Sequence, residues 1–292
     1  MSWRTVVISR RAKLELRLGH LVVRDEMQIN KVHLSEISQL IIENTSVSLT
    51  AALLAELSER KIKVIFCDDK RNPSSELVPY YGSHDTSLKI RQQIMWSDNI
   101  KTTVWTEIVT EKIRNQERLL RNLGLTEALL LEQYLGQIEF GDTTNREGHA
   151  AKVYFNALFG KEFSRTRDCH VNAALNYGYS ILLSAFNREV VSNGFITQLG
   201  LFHGNRFNQF NLSSDLMEPF RPLVDKEVID MSLSDELDHS DKMRLVDILN
   251  SEVSIDGKTH YVNNAIKIYC KSIFDALCEN DISLMRFFGD EL

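Results

Sequence analysis

Three residues far apart in the chain have side chains that suit a divalent metal ion: Glu147, His203 and Glu218. If folding brings them together, they offer two carboxylates and one imidazole nitrogen. Oxygen ligands with a single nitrogen favour Mg²⁺ or Mn²⁺ over a thiol-loving metal. Because magnesium sites with few protein ligands usually serve phosphate chemistry, these residues predict a catalytic metal site that acts on a phosphate ester.

Glu147 belongs to the segment from Asn145 to Phe155, which we interpret as a helix. On a helix Glu147 shares a face with Ala151 and Tyr154, whereas His149 points elsewhere. This geometry disfavours Glu147 and His149 as a chelating pair. Taken alone, Glu147 equally fits an ordinary exposed glutamate on a helix.

His203 lies in a loop bracketed by glycines, after a helix that we predict over residues 172–192. A single histidine is more often a packed or capping residue than a metal ligand. The neighbouring side chains include amides, a guanidinium and aromatic rings, which can hold phosphates or stack on bases. They are Asn205, Arg206, Phe207, Asn208, Gln209, Phe210 and Asn211. A structural role and a binding role for this loop both stay open.

Asp215 and Glu218 are predicted to share one face of a short helical turn, capped by one of the serines at 213–214. Pro219 biases Glu218 away from ideal helical geometry, so we expect a distorted turn. Apolar neighbours imply that the pair is partly buried. Two buried carboxylates would require a cation or Arg221 as compensation.

The composition predicts a cytoplasmic protein with no membrane association. The chain has 292 residues, of which 43% are hydrophobic, enough to bury a core without disulfides. The four cysteines show no CxxC pair, which argues against a zinc ribbon or a disulfide framework. No signal-peptide pattern is present, and no apolar run reaches the ~20 residues needed to span a bilayer.

The net charge of -6 argues against a protein that coats nucleic acid by bulk charge. The charges are unevenly distributed, however. Acidic residues concentrate between Asp225 and Asp256, whereas basic residues crowd positions 4–17. A basic surface can therefore coexist with the negative sum, and we interpret the acidic stretch as a solvated face.

The first part of the chain predicts strands, because short segments alternate apolar and polar residues or are rich in branched residues. Several of these segments are separated by only a few residues, which favours antiparallel hairpins. One helix from Leu49 to Arg60, with Ser48 as its cap, interrupts them. The polar stretch from Asp68 to Asp85 is interpreted as a connector. The predicted strands are Thr5 to Ile8, Leu14 to Leu18, His20 to Arg24, Gln39 to Glu43, and Lys61 to Phe66.

From about Thr86 onward, apolar residues recur at helical spacing and prolines are rare. A strand pair around Asp256 and Gly257 precedes one last helix. We therefore predict an α+β fold. A small β-rich N-terminal domain, residues 1–82, is followed by a larger and mostly α-helical catalytic domain, residues 83–292.

Three strings that follow one another along the chain resemble the CRISPR-associated spacer-acquisition integrases, the first-numbered Cas protein family. They are NREGHAAKVYFN at 145–156, NAALNYGY at 172–179 and SSDLMEPFRPLVD at 213–225. Further segments are similar to the type II-A branch, namely Trp3 to Val7, Val64 to Lys70 and Phe207 to Asn211. Three separated strings in the right order make this resemblance highly specific.

The resemblance implies a metal-dependent DNA endonuclease and integrase that inserts prespacer DNA into a CRISPR array, in adaptive immunity to phage. An incoming 3′-hydroxyl would attack a phosphodiester at the repeat boundary by direct transesterification. The implied partners are double-stranded DNA (prespacer and repeat with leader), a second copy of the chain, and the small second-numbered Cas protein in a heterohexamer. The homodimer seam is expected in the β-rich lobe. Whether other type II Cas proteins join stays open.

Residue by residue, the resemblance places catalytic and metal-binding roles on Glu147, His203 and Glu218, and a supporting role on Asp215. Some branches of the family carry aspartate in place of Glu218, and the longer side chain is expected to reach the ion. The implied cofactor is Mg²⁺ or Mn²⁺. Candidate DNA contacts, each with packing or a surface position as the alternative, are Lys152, Asn172, Asn176, Arg206, Asn208 and Arg221.

Two other functions remain compatible with these residues. A metal-dependent junction or repair nuclease would use the same ligands but let water attack the phosphate. A non-catalytic DNA-binding scaffold would use the acidic residues only to structure the helical lobe. A strand-transfer assay separates the integrase from the nuclease, because only an integrase joins a DNA end to its target. Against the scaffold, we predict that Glu147→Ala abolishes joining and leaves the fold and DNA binding intact.

Overall fold

The computed structural model describes residues 4–69, 71–79, 83–231 and 237–289. The chain divides into two compact units, Met1–Thr86 and Ser87–Leu292. The predicted boundary between residues 82 and 83 falls at Gly82, which lies outside the described residues, as do Trp3 and Lys70 of the family-like segments. The assignment of separate roles to residues 1–82 and 83–292 stays a prediction.

The N-terminal unit is built mainly from strands, as predicted. Its strands and helix are β1 Arg4–Ile8, β2 Lys13–Arg17, β3 His20–Arg24, β4 Ile29–His33, β5 Ile37–Ile42, β6 Ser48–Leu49, α1 Ala51–Glu59, β7 Lys63–Cys67 and β8 Pro73–Leu77. All five predicted strands are present with small shifts at their ends, whereas β4, β6 and β8 were missed.

Two sheets share the core of this unit. One has the order β1-β5-β7-β8, in which β1, β5 and β7 are parallel and β8 is antiparallel. The other has the order β4-β3-β2-β6, with β2 and β6 parallel and the remaining pairs antiparallel. All of β5 is buried, which is typical of a parallel strand covered on both faces. Leu14, Leu40 and Leu53 join both sheets and α1 in one apolar cluster.

Two local predictions for this unit are wrong, and a third holds only in part. The expected antiparallel hairpin forms between β2 and β3, whereas β1, β5 and β7 pair in parallel, because α1 supplies the crossover that parallel pairing of β5 and β7 requires. The cap of α1 is Thr50 instead of Ser48, since the Thr50 side chain accepts the Leu53 N–H at 3.3 Å. The predicted connector contains β8, an edge strand that begins at Pro73, where the missing N–H is tolerated.

The C-terminal unit is mainly helical, which confirms the predicted fold class. Its helices are α2 Thr86–Met95, α3 Asp98–Asn122, α4 Ala128–Leu135, α5 Arg146–Phe159, α6 His170–Ser192, α7 Asn211–Leu216, α8 Arg221–Asp230, α9 His239–Asp247 and α10 Val262–Glu279. The expected strand pair turns at Asp256 and Gly257, and it consists of β9 Glu252–Ile255 and β10 Lys258–Tyr261. A short strand, β11 Phe288–Gly289, pairs with β9.

Helix α3 is the central support of the C-terminal unit. It packs against α4, α5, α8 and α10. Its N-terminus is capped by Ser97, and its buried stripe carries Val104 and Ile108. The same helix also buries Lys112 and Asn115, which is unusual for polar residues unless they have partners. Both side chains form part of the candidate site.

Two further properties concern the described part of the chain. None of its helices has the length and apolar composition needed to cross a membrane. The four cysteines, all among the described residues, form no disulfide.

Candidate active site

Glu147 is held in the first turn of α5 by hydrogen bonds to the helix N-terminus. Asp142 accepts the N–H of Arg146 at 2.7 Å and that of Glu147 at 3.0 Å. Asn145, in the left-handed conformation with φ of 52°, accepts the N–H of Gly148. A Cβ at Gly148 would lie 2.7 Å from Asn145 Oδ1, so this capping arrangement requires glycine. The prediction that Glu147 lies on a helix is confirmed.

Glu218 lies in a 3₁₀ turn, Glu218–Phe220, between α7 and α8. The distortion expected from Pro219 is therefore present. Asn115 of α3 pins this turn, because its Nδ2 donates to the Pro219 carbonyl at 3.0 Å. The predicted serine cap is wrong: α7 begins at Asn211 and has no side-chain cap hydrogen bond. The Glu218 side chain is buried, and its Oε1 accepts Arg221 Nε at 2.9 Å.

Lys112 joins the two glutamates. Its Nζ lies 2.6 Å from Glu147 Oε1 and 2.5 Å from Glu218 Oε2. The Lys112 side chain is only 11% exposed, so the ammonium is almost fully withdrawn from water. The two family glutamates are thus brought together by an internal cation instead of meeting directly.

The charges of this cluster stabilise one another. Burial by itself would lower the pKa of Lys112, but Glu218 and Glu147 outweigh it and raise that pKa above its ordinary value. Burial would likewise raise the pKa of Glu218, yet Arg221 and Lys112 hold it below its ordinary value. The compensation that the sequence predicted for a buried carboxylate is therefore supplied by Arg221 and by Lys112.

Asp215 organises the loop that carries His203. Its carboxylate, which is fully buried, accepts the backbone N–H groups of Leu201 at 2.6 Å, Phe202 at 3.0 Å and His203 at 3.3 Å. A Cβ at Gly200 would lie 2.5 Å from the His203 carbonyl oxygen and 2.7 Å from Asp215 Oδ2. Only glycine allows the loop to close this tightly around the carboxylate.

The His203 ring is oriented by the same carboxylate. Nδ1 of the imidazole is hydrogen-bonded to Asp215, and this bond is the main reason that the pKa of His203 is raised. Because Nδ1 then carries the proton, the neutral ring has its lone pair on Nε2. Trp105 of α3 contacts the ring edge-on at 5.6 Å between centroids and stacks on Phe202 at 4.7 Å. Glu218 and Glu147 also raise the His203 pKa, so all three residues lie within electrostatic range.

The donor chemistry of this cluster fits a divalent ion, although the present arrangement is not a closed metal site. Among the residues that the structure describes, no three His, Cys, Asp or Glu side chains are placed to ligate one ion. Lys112 lies between two of the candidates, and the Asp215 carboxylate is already used by four donors. The glutamate pair nevertheless binds a positive charge, the ammonium of Lys112. His203 also shows the carboxylate-held imidazole that is typical of metal-binding histidines.

The candidate DNA contacts fall into two groups. Lys152, Asn176 and Arg206 are exposed, and Asn176 also accepts a hydrogen bond from Arg165 at 2.6 Å. The other three have structural partners, and their roles toward DNA stay predictions: Asn172 donates to the Ser164 and Arg167 carbonyls, Asn208 accepts the Phe210 N–H, and Arg221 lies over the Tyr179 ring.

Sequence reasoning missed the contribution of α3, which supplies Trp105, Lys112 and Asn115 to the site. A signal was present, because Lys112 and Asn115 fall on the apolar stripe of the helix where solvated residues are not expected. It also missed Asp225, which is buried and accepts the hydroxyls of Tyr154, at 2.8 Å, and of Tyr179. Burial raises the pKa of Asp225 to about 6.

The fold and the site together define a class: a two-unit α+β protein whose helical unit pairs two glutamates with a buried lysine near a carboxylate-oriented histidine. Residues 5–254 match the family described as CRISPR associated protein Cas1. The chain belongs to this family, which confirms the resemblance found in the sequence.

Named relatives cover most of the chain. The CRISPR-associated endonuclease Cas1 of Neisseria meningitidis serogroup C (strain 8013) is 36% identical over 261 residues, 88% of this chain and 86% of the relative. A solved Cas1 protein from Thermotoga maritima superposes with a TM-score of 0.76 at 18% identity, covering 99% of this chain and 100% of the other. A casposase bound to integration product gives 0.77 at 18% identity, with coverage of 96% and 92%. These two structures share the fold.

Proposed function

We propose that the protein is a divalent-metal-dependent DNA endonuclease and integrase that inserts prespacer DNA into a CRISPR array. The observation that carries this proposal is that Glu147 and Glu218, the two acidic residues on which the family resemblance places metal binding, come together around the positive charge of the Lys112 ammonium. The relative from Neisseria meningitidis is named an endonuclease, and the casposase of the same fold was captured with an integration product, which supports DNA cleavage and joining as the chemistry.

Glu147, His203 and Glu218 would hold the ion, with Nε2 as the ligand atom of His203 because Asp215 holds Nδ1. When bound, Mg²⁺ or Mn²⁺ supplies polarisation of the phosphoryl oxygen and stabilises charge on the attacking and leaving oxygens. Asp215 acts as a positioning residue, since its oxygens are engaged by the loop and the imidazole. Arg221, whose side chain is 28% exposed, balances the charge of Glu218 in the metal-free protein.

The reaction is a phosphoryl transfer that conserves the number of phosphodiester bonds. The 3′-oxygen of the incoming strand forms a new bond to phosphorus while the bond from phosphorus to the 3′-oxygen of the target breaks. The attacking hydroxyl loses its proton, and the leaving oxygen gains one to become a 3′-hydroxyl. No water is consumed, whereas a junction or repair nuclease would consume one.

The proposed partners follow from the family. They are double-stranded DNA, a second copy of the chain paired through the N-terminal unit, and the small second-numbered Cas protein. Exposed Lys152 and Arg206 are available to phosphates, and Arg206 lies 5.3 Å from the centroid of the Phe207 ring, which is 85% exposed. The cytoplasmic location and the heterohexamer stay predictions.

The test is a strand-transfer assay with a 3′-hydroxyl DNA end, a repeat-bearing plasmid, the second-numbered Cas protein and Mg²⁺ or Mn²⁺. We expect joined product from the native protein and none from Glu147→Ala, with DNA binding and circular dichroism unchanged. Glu162→Ala, at an exposed glutamate of the same unit, is the matched control and should join normally. Cleavage without joining would favour the nuclease, and DNA binding with neither cleavage nor joining would favour the scaffold. Normal joining by Glu147→Ala would show that the catalytic assignment of Glu147 is wrong.

A further inference from the structure

The ammonium of Lys112 uses the carboxylate oxygens that a divalent ion would need. It contacts Glu147 Oε1 at 2.6 Å and Glu218 Oε2 at 2.5 Å, both within ion-pair distance of one nitrogen. Lys112 comes from the middle of α3, while the glutamates come from the start of α5 and from the 3₁₀ turn before α8. Three separate elements thus converge on a single buried positive charge.

We propose that Lys112 is an internal competitor of the metal: its ammonium neutralises Glu147 and Glu218 in the metal-free protein and must leave both carboxylates before a divalent ion binds. The inference rests on the proposed function for the identity of the metal ligands. Lys112 would therefore set the affinity of the site for its ion, because the ammonium competes for the same carboxylate oxygens.

Charge balance requires this exchange. Glu218 is already paired with Arg221 at 2.9 Å, so two cations serve two carboxylates in the metal-free cluster. A divalent ion added beside an unmoved Lys112 would place an excess of positive charge in a buried space, where repulsion between like charges is strong. The lysine has a flexible four-carbon stem, which lets its ammonium leave without movement of α3.

The pairing also stabilises the metal-free fold. Glu218 is only 5% exposed, and loss of the Lys112 ammonium would leave Arg221 alone to balance this buried carboxylate, which is destabilising. Removal of the Lys112 charge should therefore weaken the metal-free protein and leave a carboxylate pair that gains more from a divalent ion. Both effects arise from loss of the Lys112 ammonium, so the proposal expects them to occur together.

The first experiment measures Mn²⁺ affinity without DNA, by electron paramagnetic resonance of the free ion. We expect Lys112→Met to bind Mn²⁺ about tenfold more tightly than the native protein, or better. Lys112→Arg keeps the charge and should not bind more tightly than the native protein. Lys63→Met is the matched control, because Lys63 is another buried lysine paired with a glutamate, Glu76, and its affinity should stay native. Equal or weaker binding by Lys112→Met overturns the proposal.

A second experiment uses the native protein only, in case Lys112→Met does not fold. Reductive methylation with formaldehyde and cyanoborohydride, read by peptide mass spectrometry, reports how accessible each lysine amine is. We expect excess Mg²⁺ to accelerate modification of Lys112 several-fold, because the ammonium is released, while modification of Lys63 is unchanged. An unchanged rate at Lys112 would overturn the proposal.

Parallel strand-transfer assays keep this inference separate from the proposed function. If the native protein joins DNA but neither measurement responds as expected, the role of Lys112 is wrong and the function stands. If Lys112→Met binds Mn²⁺ more tightly but the native protein never joins DNA, the competitor role stands and the proposed reaction is wrong.

Discussion

Asp215 holds His203 at two points, the ring Nδ1 and the backbone N–H, the latter 3.3 Å from Asp215 Oδ1. One carboxylate therefore fixes both the path of the loop and the orientation of the imidazole. Because that carboxylate is fully buried, water does not compete for its hydrogen bonds. The relationship orients the His203 ring in advance for the metal-binding role that we propose for it.

Asp215→Asn should lower the pKa of His203 toward its ordinary value of 6.5, because the hydrogen bond to Asp215 is the largest cause of the raised pKa. The stabilisation that this pair gives is fully present below pH 6.5 and is lost as the pH rises through the folded-state pKa. Nuclear magnetic resonance titration of the His203 ring in the metal-free protein measures the change. Asp98→Asn, at a 97% exposed side chain, is the control and should not change it.

Gly200→Ala should destabilise the protein by roughly 1–3 kcal/mol, because the new Cβ would collide with the His203 carbonyl and the Asp215 carboxylate. Strand transfer should fall as the loop shifts. Gly204→Ala is the matched control in the same loop, since a Cβ there meets nothing within 4 Å. Urea unfolding and the joining assay measure both effects, and equal behaviour of the two variants would contradict the tight closure of the loop around Asp215.

Asn115→Leu should destabilise the protein by about 1–3 kcal/mol, since it leaves the buried Pro219 carbonyl without its donor. The turn that positions Glu218 would loosen, so joining should also decrease. Asn122→Leu, at an exposed position near the end of the same helix, is expected to cost much less. Denaturant unfolding compares the two, and similar losses of stability would show that Asn115 does not pin the turn.

Asp225 should make stability fall with rising pH between about 4 and 6, because burial raises its folded-state pKa from 3.8 to about 6. The folded state binds this proton more tightly than the unfolded state, so the stabilisation is present below pH 3.8 and lost above pH 6. The stability of the native protein relative to Asp225→Asn should drop by up to about 3 kcal/mol over that range.

Unfolding curves at several pH values measure this difference. Tyr154→Phe serves as a second arm, because the Tyr154 hydroxyl stabilises the charged form of Asp225 and its loss should raise the Asp225 pKa further. The drop would then extend to higher pH. A difference between the native protein and Asp225→Asn that stays constant with pH would contradict the assignment.

Much of the fold follows from local pattern. The segments of the N-terminal unit that alternate apolar and polar residues form strands, and the segment containing Glu147 forms α5. Alternation and helical spacing of apolar residues indicate which face of an element is buried. The errors at Ser48 and at Pro73 have a different cause. In isolation Ser48 favours a helix cap and Pro73 favours a turn. The pairing of β6 and β8 with neighbouring strands overrode those preferences.

The predictions for the candidate site also divide into features set by local sequence and features set by tertiary packing. The sequence by itself determined the family, the types of the candidate ligands, the helix of Glu147 and the distorted turn of Glu218, since all of these depend on residue identity and short spacing. Only the tertiary structure decided that Lys112 lies between the two glutamates and that Asp215 serves His203. The physical reason is that the partners of a buried charge are chosen by how α3 packs against the rest of its unit, and no local period records that packing.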